Sequence, residues 1–177
     1  NYDTNKHKTF LTNDVIWTPS NLITKNGFVN TFTGMIRNIN YETKNTGEYR
    51  DDESTVNELH GVLSYKTSLP MKKDGINYSK LFSPNFMLRY APGHMRNLKS
   101  KDVTLNYSNI YALNKTSAIE DGLSAILGFA YKINENKNDS EAEKLSLSIG
   151  QIYNHKENHD MPSKSSLDQK TSDIVGE

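Results

Sequence analysis

The sequence predicts an all-β chain: an antiparallel meander of long strands. Three observations carry that expectation. Apolar residues alternate with small or polar ones in run after run, and helical spacing is scarce. Polar stretches rich in turn formers separate the runs, at 43–57, 70–80, 92–102, 114–121, 134–143 and 156–171. The runs are also nearly twice the length of about 5–6 residues that is usual for strands in soluble domains.

Taken in order, residues 9–17 give a weak alternation and 27–41 a muddier one. In 59–69 one parity reads Leu59, Gly61, Leu63, Tyr65, Thr67, Leu69, and the other His60, Val62, Ser64, Lys66, Ser68. In 82–90, Phe82, Pro84, Phe86, Leu88 and Tyr90 oppose Ser83, Asn85, Met87 and Arg89. In 103–113 the apolar parity is Val103, Leu105, Tyr107, Tyr111 and Leu113, interrupted by Asn109. In 123–133 the apolar side is Leu123, Ala125, Leu127, Phe129, Tyr131, Ile133, and the opposite side is small (Ser124, Gly128, Ala130). In 145–153, Leu145, Leu147, Ile149 and Tyr153 oppose Ser146, Ser148 and Gly150. Six or seven strands follow, with no composition shift to mark a second domain. Residues 172–176 look like the start of another strand, and Asn1 stands where a start methionine would, so a piece of a longer protein is expected.

Composition narrows the function classes. The 177 residues hold 21 basic and 21 acidic side chains, against the basic excess of a nucleic-acid binder. With no cysteine there is no disulfide, thiolate metal site or cysteine nucleophile. Mean hydropathy is −0.74 and no run approaches the length of a membrane helix. The excess of Asn and Lys reads as genomic bias.

Alternation alone fits two architectures. In a soluble β-sandwich, binding carbohydrate or protein, the apolar parity faces an inner core. In a membrane barrel it faces lipid. Strands of about 10 residues tilted by about 40° span an apolar band of about 25 Å. The strand lengths, the small polar residues of the second parity and tyrosines near strand ends favour the barrel, where aromatic rings sit at the interface.

The run Glu143-Lys144-Leu145-Ser146-Leu147-Ser148-Ile149-Gly150-Gln151-Ile152-Tyr153 resembles a characteristic strand of the LptD family of LPS-assembly proteins. Leu81-Phe82-Ser83-Pro84 with Tyr90-Ala91-Pro92, then Ile119-Glu120-Asp121-Gly122-Leu123-Ser124 and Leu127-Gly128-Phe129-Ala130-Tyr131, resemble the family's preceding strands in order. Residues 166–167 and 172–176 resemble the loop and strand after them, and 26–41 an earlier strand. The similarity covers about 59–177. It implies a curved open segment of a large transmembrane β-barrel in the bacterial outer membrane, with 1–177 as one partial barrel and no second domain. It also implies a non-enzymatic role in assembling lipopolysaccharide at the Gram-negative cell surface. The implied partners are lipopolysaccharide, outer-membrane lipids, a plug lipoprotein of the LptE type and the rest of the barrel chain, with no nucleic acid and no cofactor.

On that reading the lipid-facing residues are Leu63, Phe86, Leu88, Leu105, Leu123, Leu127, Phe129, Leu145, Leu147 and Ile149. Ser124, Gly128, Ser146, Ser148 and Gly150 face the lumen, and Tyr65, Tyr90, Tyr111, Tyr131 and Tyr153 are interfacial. Other candidates read as ordinary surface. His155 and His159 share a spacing with metal ligands but lie in a hydrophilic loop, and Asp51, Asp52 and Glu53 form a charged loop tip. Glu120 and Asp121 lack a partner acid or base, leaving Glu120 a lumen-facing hydrogen-bond role. His94, Arg96, Lys99 and Lys101 form a modest basic run, and four glycosylation sequons are chance matches in an Asn-rich chain. No catalytic or metal-binding constellation is found. Strict hairpin alternation puts the long 43–57 connection opposite 156–171, which a missed strand or a long inner turn would explain.

Overall fold

The computed structural model describes residues 7–44, 55–116, 118–137 and 140–177. Asp51, Asp52, Glu53 and the sequon at Asn138 lie outside the described residues. The strands are β1 (His7–Trp17), β2 (Leu22–Ile23), β3 (Val29–Lys44), β4 (Val56–Ser68), β5 (Met71–Asp74), β6 (Tyr78–Ala91), β7 (Gly122–Lys137), β8 (Ser140–Asn154) and β9 (Val175–Gly176). All belong to one antiparallel sheet, ordered β1-β3-β4-β6-β7-β8-β9, with β2 beside β3 and β5 beside β6. The sheet is not closed: β1 and β9 stand at its two ends, and no second sheet is stacked on it among the described residues. The sandwich is therefore not the architecture of this chain.

Directly paired residues share a face. One face carries Leu63 with Tyr90, Phe86 with Leu127, Phe129 with Ile149 and Tyr131 with Leu147. Leu127 is 50% exposed and Leu147 42%. The other face carries Met35 with Val62, Arg89 with Ser124, and Ile126 with Ile152. That inner face is covered by residues 92–121 and 155–172, whose Met95, Leu98, Leu105, Ile110, Met161 and Leu167 form a buried cluster with Met87, Ile126 and Ile152.

The 103–113 segment is the one expected strand that is not formed. It runs as turns, with Asn106 at the centre: its carbonyl accepts from Ile110 N (3.1 Å), and its side chain accepts from Asn109 N (3.0 Å) and Ser108 Oγ (2.6 Å). Local Asn bonding of this kind competes with a ladder. Leu105 is therefore only 4% exposed, inside the cluster, and cannot be a lipid-facing strand residue. Tyr111 is likewise not at a strand end but packed on the inner face, its ring 5.8 Å from that of Tyr107. Removing this strand also resolves the loop parity. The connections 92–121 and 155–174 lie at one rim, with the ends of β3 and β4 at Lys44 and Val56, and 18–28 and 69–77 lie at the other.

The ladders are long. β3 and β7 each have 16 residues, and the ends of β6–β8 away from the long connections turn polar. There Lys132 pairs with Glu143 (2.7 Å), Lys144 with Glu135 (3.0 Å), and Asn136 Nδ2 donates to Gly75 O (2.9 Å). Pro84 lacks an N–H and sits where β6 changes partner from β4 to β5, so no ladder donor is missed.

Candidate functional site

The inner face is the part of the molecule built for more than a wall. Two nodes hold 92–121 on it. The first is Arg89, near the C-terminal end of β6 and 2% exposed. Its guanidinium donates to Leu113 O, to Asn114 Oδ1 (3.2 Å) and to Glu120 O (2.6 Å). The Glu120 carboxylate, itself 4% exposed, accepts the backbone N–H groups of Lys115 and of Thr116 (2.8 Å), and lies 3.7 Å from Lys115 Nζ. Burial pushes the Lys115 ammonium below its usual range, with Glu120 opposing that. One strand arginine thus satisfies the carbonyls of a loop that would otherwise be buried without partners.

The second node is Glu58 on β4. It accepts from Arg96 Nη2 (3.1 Å) and Tyr41 Oη (3.0 Å) and meets His60 Nε2 at 3.3 Å. Arg96 also lies over the Tyr41 ring, 4.9 Å from its centroid. The His94 ring lies tilted beside His60, 5.6 Å between centroids. Of the basic run only Arg96 is therefore turned inward, while His94, Lys99 and Lys101 are exposed.

The covering segments are joined to each other. Leu98 N donates to Asp160 O (2.7 Å), Leu105 N to Ser165 Oγ (3.0 Å), and Asn158 Nδ2 to Asp121. Between them, at the rim of β6–β8, a cavity of about 630 Å³ is lined by Arg89, Lys115, Glu120, Asp121, Asn154 and Lys156, among others. His155 and His159 border it, both exposed, and no three metal-ligating side chains gather anywhere among the described residues.

The small residues expected to face a lumen are divided by this cover. Ser124, Ser148 and Gly150 are on the inner face but buried, and Ser146 on the same parity is exposed. Gly128 and Gly150 are paired, and the cover rests on them: a Cβ on Gly150 would meet Ile110 Cδ1 at 3.0 Å. Below the cover the inner face is hydroxyl-rich, with Thr31, Thr33, Ser68 and Asn85 around Lys66, whose ammonium sits 4.4 Å from the centre of the Tyr111 ring. On the opposite face, Leu63, Leu88, Leu123, Leu127, Leu145 and Leu147 are exposed and Phe86, Phe129 and Ile149 partly so. Tyr65, Tyr90, Tyr131 and Tyr153 share that face, Tyr65 donating its hydroxyl to Asn30 Oδ1 at 2.7 Å. The Arg89 node went unread in the sequence, although an arginine opposite the apolar parity of 82–90, in a chain with so few, was its signal.

Compared with known proteins, residues 16–177 match the family model described as LptD, LPS transport system D. No curated protein matches the chain. The match spans nearly the whole chain and agrees with an antiparallel all-β sheet that buries one face and exposes an apolar one. The chain therefore belongs to the LPS transport system D family, outer-membrane proteins of lipopolysaccharide transport and assembly.

Proposed function

We propose that this sheet is a single stretch of barrel wall whose exposed apolar face meets lipid and whose inner face borders the lumen through which lipopolysaccharide passes. The carrying observation is the segregation of the two faces over strands long enough to cross a bilayer. A soluble protein would not leave so wide an apolar surface open. The rim with the long 92–121 and 155–174 connections is the extracellular one, because barrels keep their short turns on the periplasmic side. The segment is not an enzyme. Its covered upper half narrows the lumen, and its uncovered lower half offers hydroxyls, an amide and the Lys66 ammonium to saccharide hydroxyls and phosphates. The same surface is where a plug lipoprotein of the LptE type seats, and the open edges of β1 and β9 continue into the rest of the barrel chain.

Quenching tests the facing. In the full-length protein in bilayers, Leu147→Trp is quenched by brominated lipid tails and Ser146→Trp by an aqueous quencher. Equal response of both positions to either quencher refutes the wall reading.

A further inference from the structure

The apolar face is not uniform. Ser68, Asn85, Gly128 and Gly150 pair in one row across β4, β6, β7 and β8, with the Ser68 and Asn85 side chains inward. On the outer face that row is bare main chain. Side-chain rows flank it two residues apart along each strand, roughly 7 Å. Phe86 and Leu127 stand on one side, and Pro84, Phe129 and Ile149 on the other. The result is a groove with a volume of about 630 Å³. Its lower end is walled by Phe28 and Leu69, at the rim with the short connections, and it climbs to Tyr153 and Ile174. The turn that ends in Phe28 is closed by Gly27 N donating to Thr24 O (3.0 Å) and carries the exposed Lys25.

We infer that this groove holds one acyl chain of a glycerophospholipid as a resident lipid. The inference rests on the reading that the face meets hydrocarbon. Three features point to that occupant. The groove is continuous with the surface that faces the membrane. Its walls combine Phe86, Phe129 and Pro84 with Leu127 and Ile149, and the outward polar groups are confined to Thr67, Gln151 and Tyr153. It begins at the periplasmic rim, where a headgroup phosphate would lie within the zone of Lys25. Inside a bilayer there is no hydrophobic gain from binding a tail, so residence comes from packing. A chain between two rigid walls makes dispersion contacts on both sides, whereas a tail on a flat wall makes them on one.

Photolabelling of the full-length protein in bilayers tests this, with phosphatidylethanolamine carrying a diazirine on its acyl chain as probe. Label is expected to accumulate several-fold more on Phe86, Leu127, Phe129 and Ile149 than on the equally outward Leu59 and Leu63. Leu127→Trp, which fills the groove, should abolish that excess, and Leu63→Trp should leave it. Even labelling over the whole outer face overturns the resident lipid but leaves the wall reading standing. No label on this face overturns both. Preferential labelling by a lipopolysaccharide carrying the same diazirine overturns the phospholipid assignment.

Discussion

The hydroxyl of Tyr111 occupies the space into which a side chain on Gly128 would project: a Cβ built there falls 2.5 Å from Tyr111 Oη and 2.6 Å from Ile149 O. Two of the neighbours, Ile149 O and Gly150 Cα, are backbone, so relief requires β7 and β8 to shift as well as Tyr111 to leave. Gly128→Ala should cost about 1–3 kcal/mol, as overpacking does. It should also open 92–121 to protease, read as faster cleavage within that segment in detergent-solubilised protein. Gly150→Ala meets mainly the end of a flexible side chain, Ile110 Cδ1 at 3.0 Å, and should cost less.

Arg89 is the second lever on the same segment. Arg89→Leu removes the donor to two buried carbonyls and one amide oxygen. Each buried acceptor left alone costs about 1–3 kcal/mol. The expected outcome is release of 92–121 with the sheet intact: rapid amide exchange in the segment and unchanged protection in β7 and β8. Glu120→Gln keeps an acceptor for the Lys115 and Thr116 amides and should release it far less.

Facing has an energetic signature in bilayers. Leu147→Arg should destabilise the full protein by about 2–4 kcal/mol if it lies near the midplane. Ser146→Arg, exposed on the inner parity, should be close to neutral. Ser148→Arg is not an equivalent control, since Ser148 is 7% exposed and has no room for the longer side chain. Lipid-based unfolding titrations distinguish the three.

Docking of 92–121 should depend on alkaline pH through Tyr111. Burial raises its pKa above the usual tyrosine value of 10.0, with Tyr107 adding to the shift. The docked phenol keeps its proton where the released one loses it, so the docked state binds more protons. Its contribution is complete below pH 10.0 and is lost as pH rises beyond it. Tyr111→Phe should flatten this dependence in amide exchange measured across that range.

Periodicity read β4, β6, β7 and β8 well, and β1 and β3 only weakly, because it needs two faces that differ in chemistry: Leu145, Leu147 and Ile149 against Ser146, Ser148 and Gly150 leave no ambiguity. It misread 103–113 because Val103, Leu105, Tyr107, Tyr111 and Leu113 are apolar for another reason. They cover a sheet, and alternation does not say which surface an apolar residue seeks. The error carried over to Leu105, Tyr111 and the loop parity. Gly128 and Gly150 were legible as inward-facing small residues, but not as the seat of a loop, because that fit is between segments far apart in the chain. The Arg89–Glu120 node depends on the same long-range meeting.

The long ladders with their charged lower ends have a mechanical consequence. Hydrocarbon needs only about 9–11 residues of a tilted strand, while β3, β7 and β8 have 16, 16 and 15. The surplus of β6–β8 forms a rigid hydrophilic skirt cross-braced by Lys132–Glu143 and Lys144–Glu135. On the proposed wall reading, bilayers of different thickness would slide along these strands, trading skirt for band, without uncovering a main-chain polar group to oil.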